Sequence, residues 1–177
     1  MIDRSLVLCA MLSLLAGCST MRAGVDYQRE AAFGDLRTFA WRDTPPQGPV
    51  DPRVDNTLLG QRVRAAVDRE LGAKAYRQAS AGEQPDFLVG YHAVLQPKVD
   101  VRTIGGWYGY AGPRMTGTYE YEYDEGTLLL DMIDPRTKDL LWRGSATAAI
   151  YPSDSLEKRE RRINEAVAKI LAEFPPH

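Results

Sequence analysis

The sequence predicts an α+β fold: an antiparallel β-sheet with two amphipathic helices packed on one face, a two-layer sandwich. Three observations lead there. Strand-like apolar segments recur between turn-forming clusters, and two other segments repeat apolar residues at helical spacing. The third is length: 177 residues suit one domain plus a short extra segment. A folded body of roughly 150 residues buries about 68–70% of the surface its unfolded chain exposes, enough for a core without metals or disulfides.

The elements follow in chain order. Thr38-Phe39-Ala40-Trp41 is a short strand, ended by the breaker-rich Asp43-Thr44-Pro45-Pro46-Gln47-Gly48-Pro49. From Pro52 to about Tyr76, Leu59, Val63, Ala66, Val67, Glu70 and Leu71 fall at helical spacing with arginines between them. This predicts an amphipathic helix beginning near Asp51-Pro52, where proline suits the first turn. Asp86 to Gln96 is apolar on both faces, as a central strand is.

A long glycine- and aromatic-rich loop is expected from Ile104 to Gly117, before the strict alternation of Tyr119-Glu120-Tyr121-Glu122-Tyr123. Asp124-Glu125-Gly126 reads as a turn into a strand from Thr127 to Ile133, and Asp134-Pro135-Arg136-Thr137-Lys138 as the next turn. Beyond it Leu140, Trp142, Ala146, Ala148 and Ile150 share one strand parity, and Arg143, Ser145 and Thr147 the other. One face is dry and one wet. Leu156, Ile163, Val167, Ile170, Leu171 and Phe174 then mark a second amphipathic helix, stopped by Pro175-Pro176.

The first twenty residues are unlike the rest. Leu6 to Ala16 is almost wholly apolar, shorter than the roughly 20 residues a membrane-spanning helix needs and of the length of a signal-peptide core. Leu15-Ala16-Gly17-Cys18 resembles the bacterial lipobox, in which cleavage falls between Gly17 and Cys18 and the cysteine carries lipid. Two or more acyl chains anchor stably where one is marginal. Residues 1–17 are thus expected as a lipoprotein signal peptide, 18–24 as lipidated N-terminus and tether, and 25–177 as a single α+β domain. In a Gram-negative cell, Ser19 after the lipidated cysteine points to the outer membrane, with the domain on the periplasmic face. Cys9 leaves with the signal peptide and Cys18 is consumed by lipid, so the mature domain holds no thiol for a disulfide, metal site or nucleophile.

Function is less legible. The formal charge of −2 gives no overall attraction to nucleic acid, and no nucleic-acid partner is expected. His92 is the only histidine before the terminal His177, which leaves multi-histidine metal sites and serine–histidine pairs little to draw on. It reads as a half-buried structural residue. Glu120, Glu122 and Asp124 share one strand face, but a strand spaces them roughly 6.5–7 Å apart, too far to surround one cation. They suit a solvated face or sheet edge. No cofactor or metal is expected.

Gly105-Gly106-Trp107-Tyr108-Gly109-Tyr110-Ala111-Gly112 lacks the spacing of a phosphate-binding loop. Trp107, Tyr108 and Tyr110, with Arg114 beside them, are candidates for contact with an envelope protein or glycan; alternatively they fold back and cap the sheet. Glu157-Lys158-Arg159-Glu160-Arg161-Arg162 mixes both signs as a solvated helix face does.

A family resemblance runs through Phe39-Ala40-Trp41, Pro85-Asp86-Phe87-Leu88-Val89 leading into Tyr91-His92, the glycine-aromatic stretch, Gly126-Thr127-Leu128, Asp131-Met132-Ile133-Asp134 with Leu141-Trp142-Arg143-Gly144, and Ala166 to Leu171 ending in Phe174-Pro175-Pro176. In this order, over roughly residues 25 to 176, the chain resembles the bacterial lipoproteins grouped as domain of unknown function 4136. The resemblance implies an envelope lipoprotein with an α+β domain and carries over no reaction or catalytic residue. Two function classes follow: a noncatalytic, lipid-tethered binding or structural module, or a periplasmic hydrolase of envelope glycan or lipid using Asp86, Asp131 or Glu122 as acid and base.

Overall fold

The computed structural model describes residues 21–42, 51, 53, 54, 56–106 and 115–176. Six strands, β1 (Arg22–Tyr27), β2 (Thr38–Trp41), β3 (Arg77–Gln78), β4 (Phe87–Gly106), β5 (Met115–Ile133) and β6 (Leu140–Ile150), form one sheet in the order β1-β6-β5-β4-β2-β3. Two helices, α1 (Thr57–Ala73) and α2 (Leu156–Ala172), pack on one face of it. The two-layer α+β architecture is as the sequence predicts. The sheet, however, is mixed: β1, β6, β5 and β4 are antiparallel neighbours, while β2 runs parallel to both β3 and β4. Parallel neighbours need a crossover, and α1 supplies it between β2 and β3.

Helix α1 starts later than its proline suggests. Asn56 holds an extended backbone and its Oδ1 accepts from the Leu59 N–H at 2.9 Å, so the cap rather than Pro52 sets the first turn. Val63, Ala66, Val67 and Leu71 face the sheet. In α2 the Ser155 hydroxyl plays the same capping part, and Ala166, Val167, Ile170 and Leu171 are buried. Leu156, at the solvent end of that helix, is 61% exposed. Phe174 lies beyond the helix rather than on its face and turns into the core, 5.2 Å from the Trp142 ring, 5.7 Å from Phe87 and 5.5 Å from Tyr76. These rings, with Phe39 stacked on Phe87, fill the space between sheet and helices.

Three local expectations change. Residues 22–24, expected as tether, are the start of β1, paired with β6 from Arg22↔Thr147. Asp124-Glu125-Gly126 is not a turn: β5 runs straight through it, paired to β4 on one side and β6 on the other. Gly126 is there for packing, since a Cβ would overlap Cδ1 of Ile150. Both ends of the expected Ile104–Gly117 loop, residues 104–106 and 115–117, are strand, because β4 and β5 stay in one unbroken register from Leu88↔Ile133 to Gly106↔Met115; residues 107–114 lie outside the described residues. The Asp134–Lys138 turn forms as expected, with Asp134 Oδ1 accepting from the N–H groups of Arg136 and Thr137.

Candidate functional site

The face of the sheet away from the helices has no described element packed on it, and its centre carries a buried acid. Strand alternation puts Gly90 and His92 of β4, Asp131 and Leu129 of β5, Arg143 and Ser145 of β6, and Asp26 and Gly24 of β1 on this side. Asp131 stands directly between Gly90 and Arg143, and Arg143 between Asp131 and Asp26. The Asp131 side chain is only 3% exposed although no described helix or strand packs over this face. Arg143 shields it: Nε donates to Oδ1 at 2.6 Å and Nη2 to Oδ2 at 2.7 Å, a bidentate pair. The Asp131 carboxylate raises the Arg143 guanidinium above its ordinary value, chiefly through that hydrogen bond. His92 Nε2 lies 3.8 Å from Asp131 Oδ2, with its side chain 35% exposed. A Cβ at Gly90 would sit in ordinary contact with Ile133, Arg42 and Asp131, at 3.8–3.9 Å.

Around this centre lie polar groups, with the apolar Leu129 and Val94 on the same face. Ser145 Oγ donates to the Gly24 carbonyl, and the hydroxyls of Thr127 and Thr147 are 3.0 Å apart. Glu125 takes Arg22 at 3.0 Å and Lys98 at 3.7 Å. The arrangement fixes one half-exposed guanidinium among the hydroxyls of Ser145, Thr127 and Thr147. Such a surface can donate to and accept from polar groups of a partner, and both Asp131 oxygens accept from Arg143.

The three carboxylates named as hydrolase candidates are not brought together. Asp131 is in the centre of the uncovered face, and Glu122 is exposed on the outer part of β5. Asp86 precedes β4 and accepts from the N–H groups of Arg37 and Thr38 and from the Thr38 hydroxyl. Partial burial pushes the Asp86 carboxyl up, but the Arg37 and Thr38 donors outweigh it and hold the group below the usual range. Asp86 lines a groove of about 570 Å³ with Glu30, Asp35, Asp134 and Arg136, over an apolar floor that includes Phe33 and Leu141. Asp134 is likewise lowered, by the N–H groups of Thr137 and Arg136. A general acid at neutral pH needs the opposite shift. Of the charged strand face, Asp124 pairs with Arg53 at 2.8 Å; among the described residues no three His, Cys, Asp or Glu side chains are grouped to hold a metal ion.

Gly17, Cys18, Trp107, Tyr108, Tyr110 and Arg114 lie outside the described residues. What sequence reading missed is the Asp131–Arg143 pair. Its signal was present: folding the strands back about the Asp134–Lys138 turn brings these two residues opposite one another on the wet face.

The chain belongs to the family described as domain of unknown function DUF4136, whose model matches residues 23–176. Solved structures are similar to the chain at low identity. A PDZ domain protein from Parabacteroides distasonis is 14% identical with a TM-score of 0.55, and the match covers 89% of this chain and 37% of that one. This chain therefore spans little more than a third of that protein. A DUF4136 family protein from Bacteroides thetaiotaomicron is 15% identical with a TM-score of 0.49, covering 89% of this chain and 97% of the other. A PelC dodecamer from Paraburkholderia phytofirmans gives 12% identity and 0.47, covering 86% and 95%. No curated protein matches the sequence.

Proposed function

We propose that this protein is an envelope lipoprotein, held in the outer membrane by acyl chains on Cys18 and facing the periplasm. There it acts as a noncatalytic binding or structural module toward an envelope protein or glycan. The observation that carries this is the spacing between lipobox and sheet. Cys18 precedes Arg22, the first residue of β1, by four positions, which an extended chain spans in at most about 14 Å. A sheet edge starting so soon after the anchor would be held close to the bilayer surface. The described helices offer no alternative anchor, since none is long and apolar enough to cross a membrane. Binding is assigned to the uncovered sheet face around Arg143 and to Trp107, Tyr108, Tyr110 and Arg114. The bidentate pairing of Asp131 with Arg143 and the lowered Asp86 and Asp134 favour binding over hydrolysis.

The test has two parts. Labelled palmitate should enter the wild-type chain and not Cys18→Ala, with the label in the outer-membrane fraction. A photo-crosslinking residue at Ser145 or Tyr108 in living cells should then capture one discrete envelope partner, lost in Cys18→Ala. An unlabelled wild-type chain would end the anchor reading. Turnover of an envelope glycan or lipid by the purified protein, abolished by one polar substitution that leaves the fold intact, would establish the hydrolase instead.

A further inference from the structure

Beyond Asp124↔Ile150, where β6 stops, β4 and β5 continue as a two-stranded ribbon of nine residue pairs, Lys98↔Tyr123 to Gly106↔Met115. At about 3.3 Å per residue it extends roughly 30 Å. Among the described residues no strand pairs with the other side of β4 after Val89. A ribbon of two strands is marginal in water, and an open edge is a template for another strand. Val99 and Val101 on this ribbon are 59% and 56% exposed.

The direction of the edge groups can be carried along β4, because its register is unbroken. The Val89 carbonyl accepts from Arg42, which follows β2, so odd-numbered residues present N–H and C=O to the β2 side. Val99 and Val101 therefore offer both groups to the free edge. Pro97, which has no N–H, falls where its donor would point out of the sheet rather than toward β5, the place a strand tolerates proline.

We propose that this edge pairs with the same edge of a second copy of the chain, antiparallel, about a two-fold axis at Val99. That register sets Val99 opposite Val99, Lys98 opposite Asp100 on both sides of the axis, and Val101 opposite Pro97. One face of the joint then carries two opposite-charge pairs, and the other a strip of Pro97, Val99 and Val101 from each copy. Centring the axis on Lys98 or Asp100 instead would place like charges directly opposite, which is destabilising. Each Pro97 costs the new ladder one hydrogen bond and blocks nothing else. An axis normal to the ribbon also sends both Cys18 residues to the same side, as two anchors in one leaflet require. That agreement rests on the anchor proposed above; the pairing itself does not.

The experiment uses the full chain with Cys9 and Cys18 replaced by serine, so an introduced thiol stands alone. Under mild oxidation Val99→Cys should give a disulfide-linked dimer, because only a residue on the axis meets its own copy. Pro97→Cys and Val101→Cys should each stay unlinked, and crosslink when combined in one chain. Sedimentation should show a dimer for the parent, weakened about tenfold or more by Val99→Lys, which sets two lysines face to face, with an unchanged circular dichroism spectrum. A monomeric parent at tens of micromolar would overturn the proposal. So would Tyr121→Cys, on the opposite edge, crosslinking as readily as Val99→Cys, or Val101→Cys doing so alone.

Discussion

Trp142 and Gly144 are neighbours on the buried face of β6, and the indole occupies the space that a side chain at Gly144 would need. A Cβ there would overlap Cη2 of Trp142 and Cγ2 of Ile170, and come within 3.0 Å of Cζ2. The glycine thus lets the largest core residue lie along its own strand while α2 seats Ile170 against the sheet. Gly144→Ala should destabilise the domain by about 1–3 kcal/mol through overpacking, read from the urea midpoint at constant slope. Gly72→Ala is the control. Its added methyl meets nothing within 4 Å in α1, and the variant should gain up to about 1 kcal/mol.

The Asp131–Arg143 pair predicts an asymmetry. Arg143→Ala strips a nearly buried carboxylate of both its donors, and should cost about 2 kcal/mol once water reaching the uncovered face is allowed for. Asp131→Asn leaves a guanidinium that is 43% exposed and can turn to solvent, and should cost less. Chemical denaturation of both variants decides it; equal losses would mean that the pair is not the stabilising unit.

Asn56 is exposed, yet its side chain accepts from Leu59 and donates to the Arg53 carbonyl. Asn56→Ala should therefore lose about 1 kcal/mol, and Asn56→Asp should retain most of it. A neutral Asn56→Ala would move the true start of α1 elsewhere.

Acid should weaken the fold through two paired carboxylates. Glu83 is held at about 2 against an ordinary 4.5, first by the Arg77 guanidinium and then by the Ser80 N–H. Burial pushes Asp154 up, but Lys158 at 2.6 Å, the Tyr151 N–H and Arg162 outweigh it and keep the group below its ordinary value. With folded values depressed, the unfolded chain takes up protons first. This stabilisation is fully present above about pH 4.5 and drains away as the pH falls toward 2. In denaturation series across that window, Glu83→Gln should show a shallower acid slope than wild type. Identical slopes would remove Glu83 from the account.

Much of the fold was legible because its signals are local. The dry and wet parities of β6, the second helix and the Asp134–Lys138 turn depend on periodicity and turn chemistry within a dozen residues. Gly126 was misread because a glycine demanded by a turn and one demanded by a neighbour look alike in one dimension; only Ile150, across the strand pair, tells them apart. Pro52 was taken for a helix start for a similar reason, the deciding hydrogen bond belonging to Asn56. Of the candidate site, Asp131 and the wet parity of Arg143 were visible, but not their union.

The sequence by itself determined the two-layer α+β class, the family pattern and the expectation of a lipid anchor at Cys18, since each rests on short-range order in the chain. Tertiary structure decided the rest: β2 beside β4 in parallel, the ring cluster around Phe174, and an acid buried under Arg143 on the face away from the two described helices. These depend on which distant segments meet. Burial of apolar surface and pairing of backbone groups settle that only when the whole chain is folded.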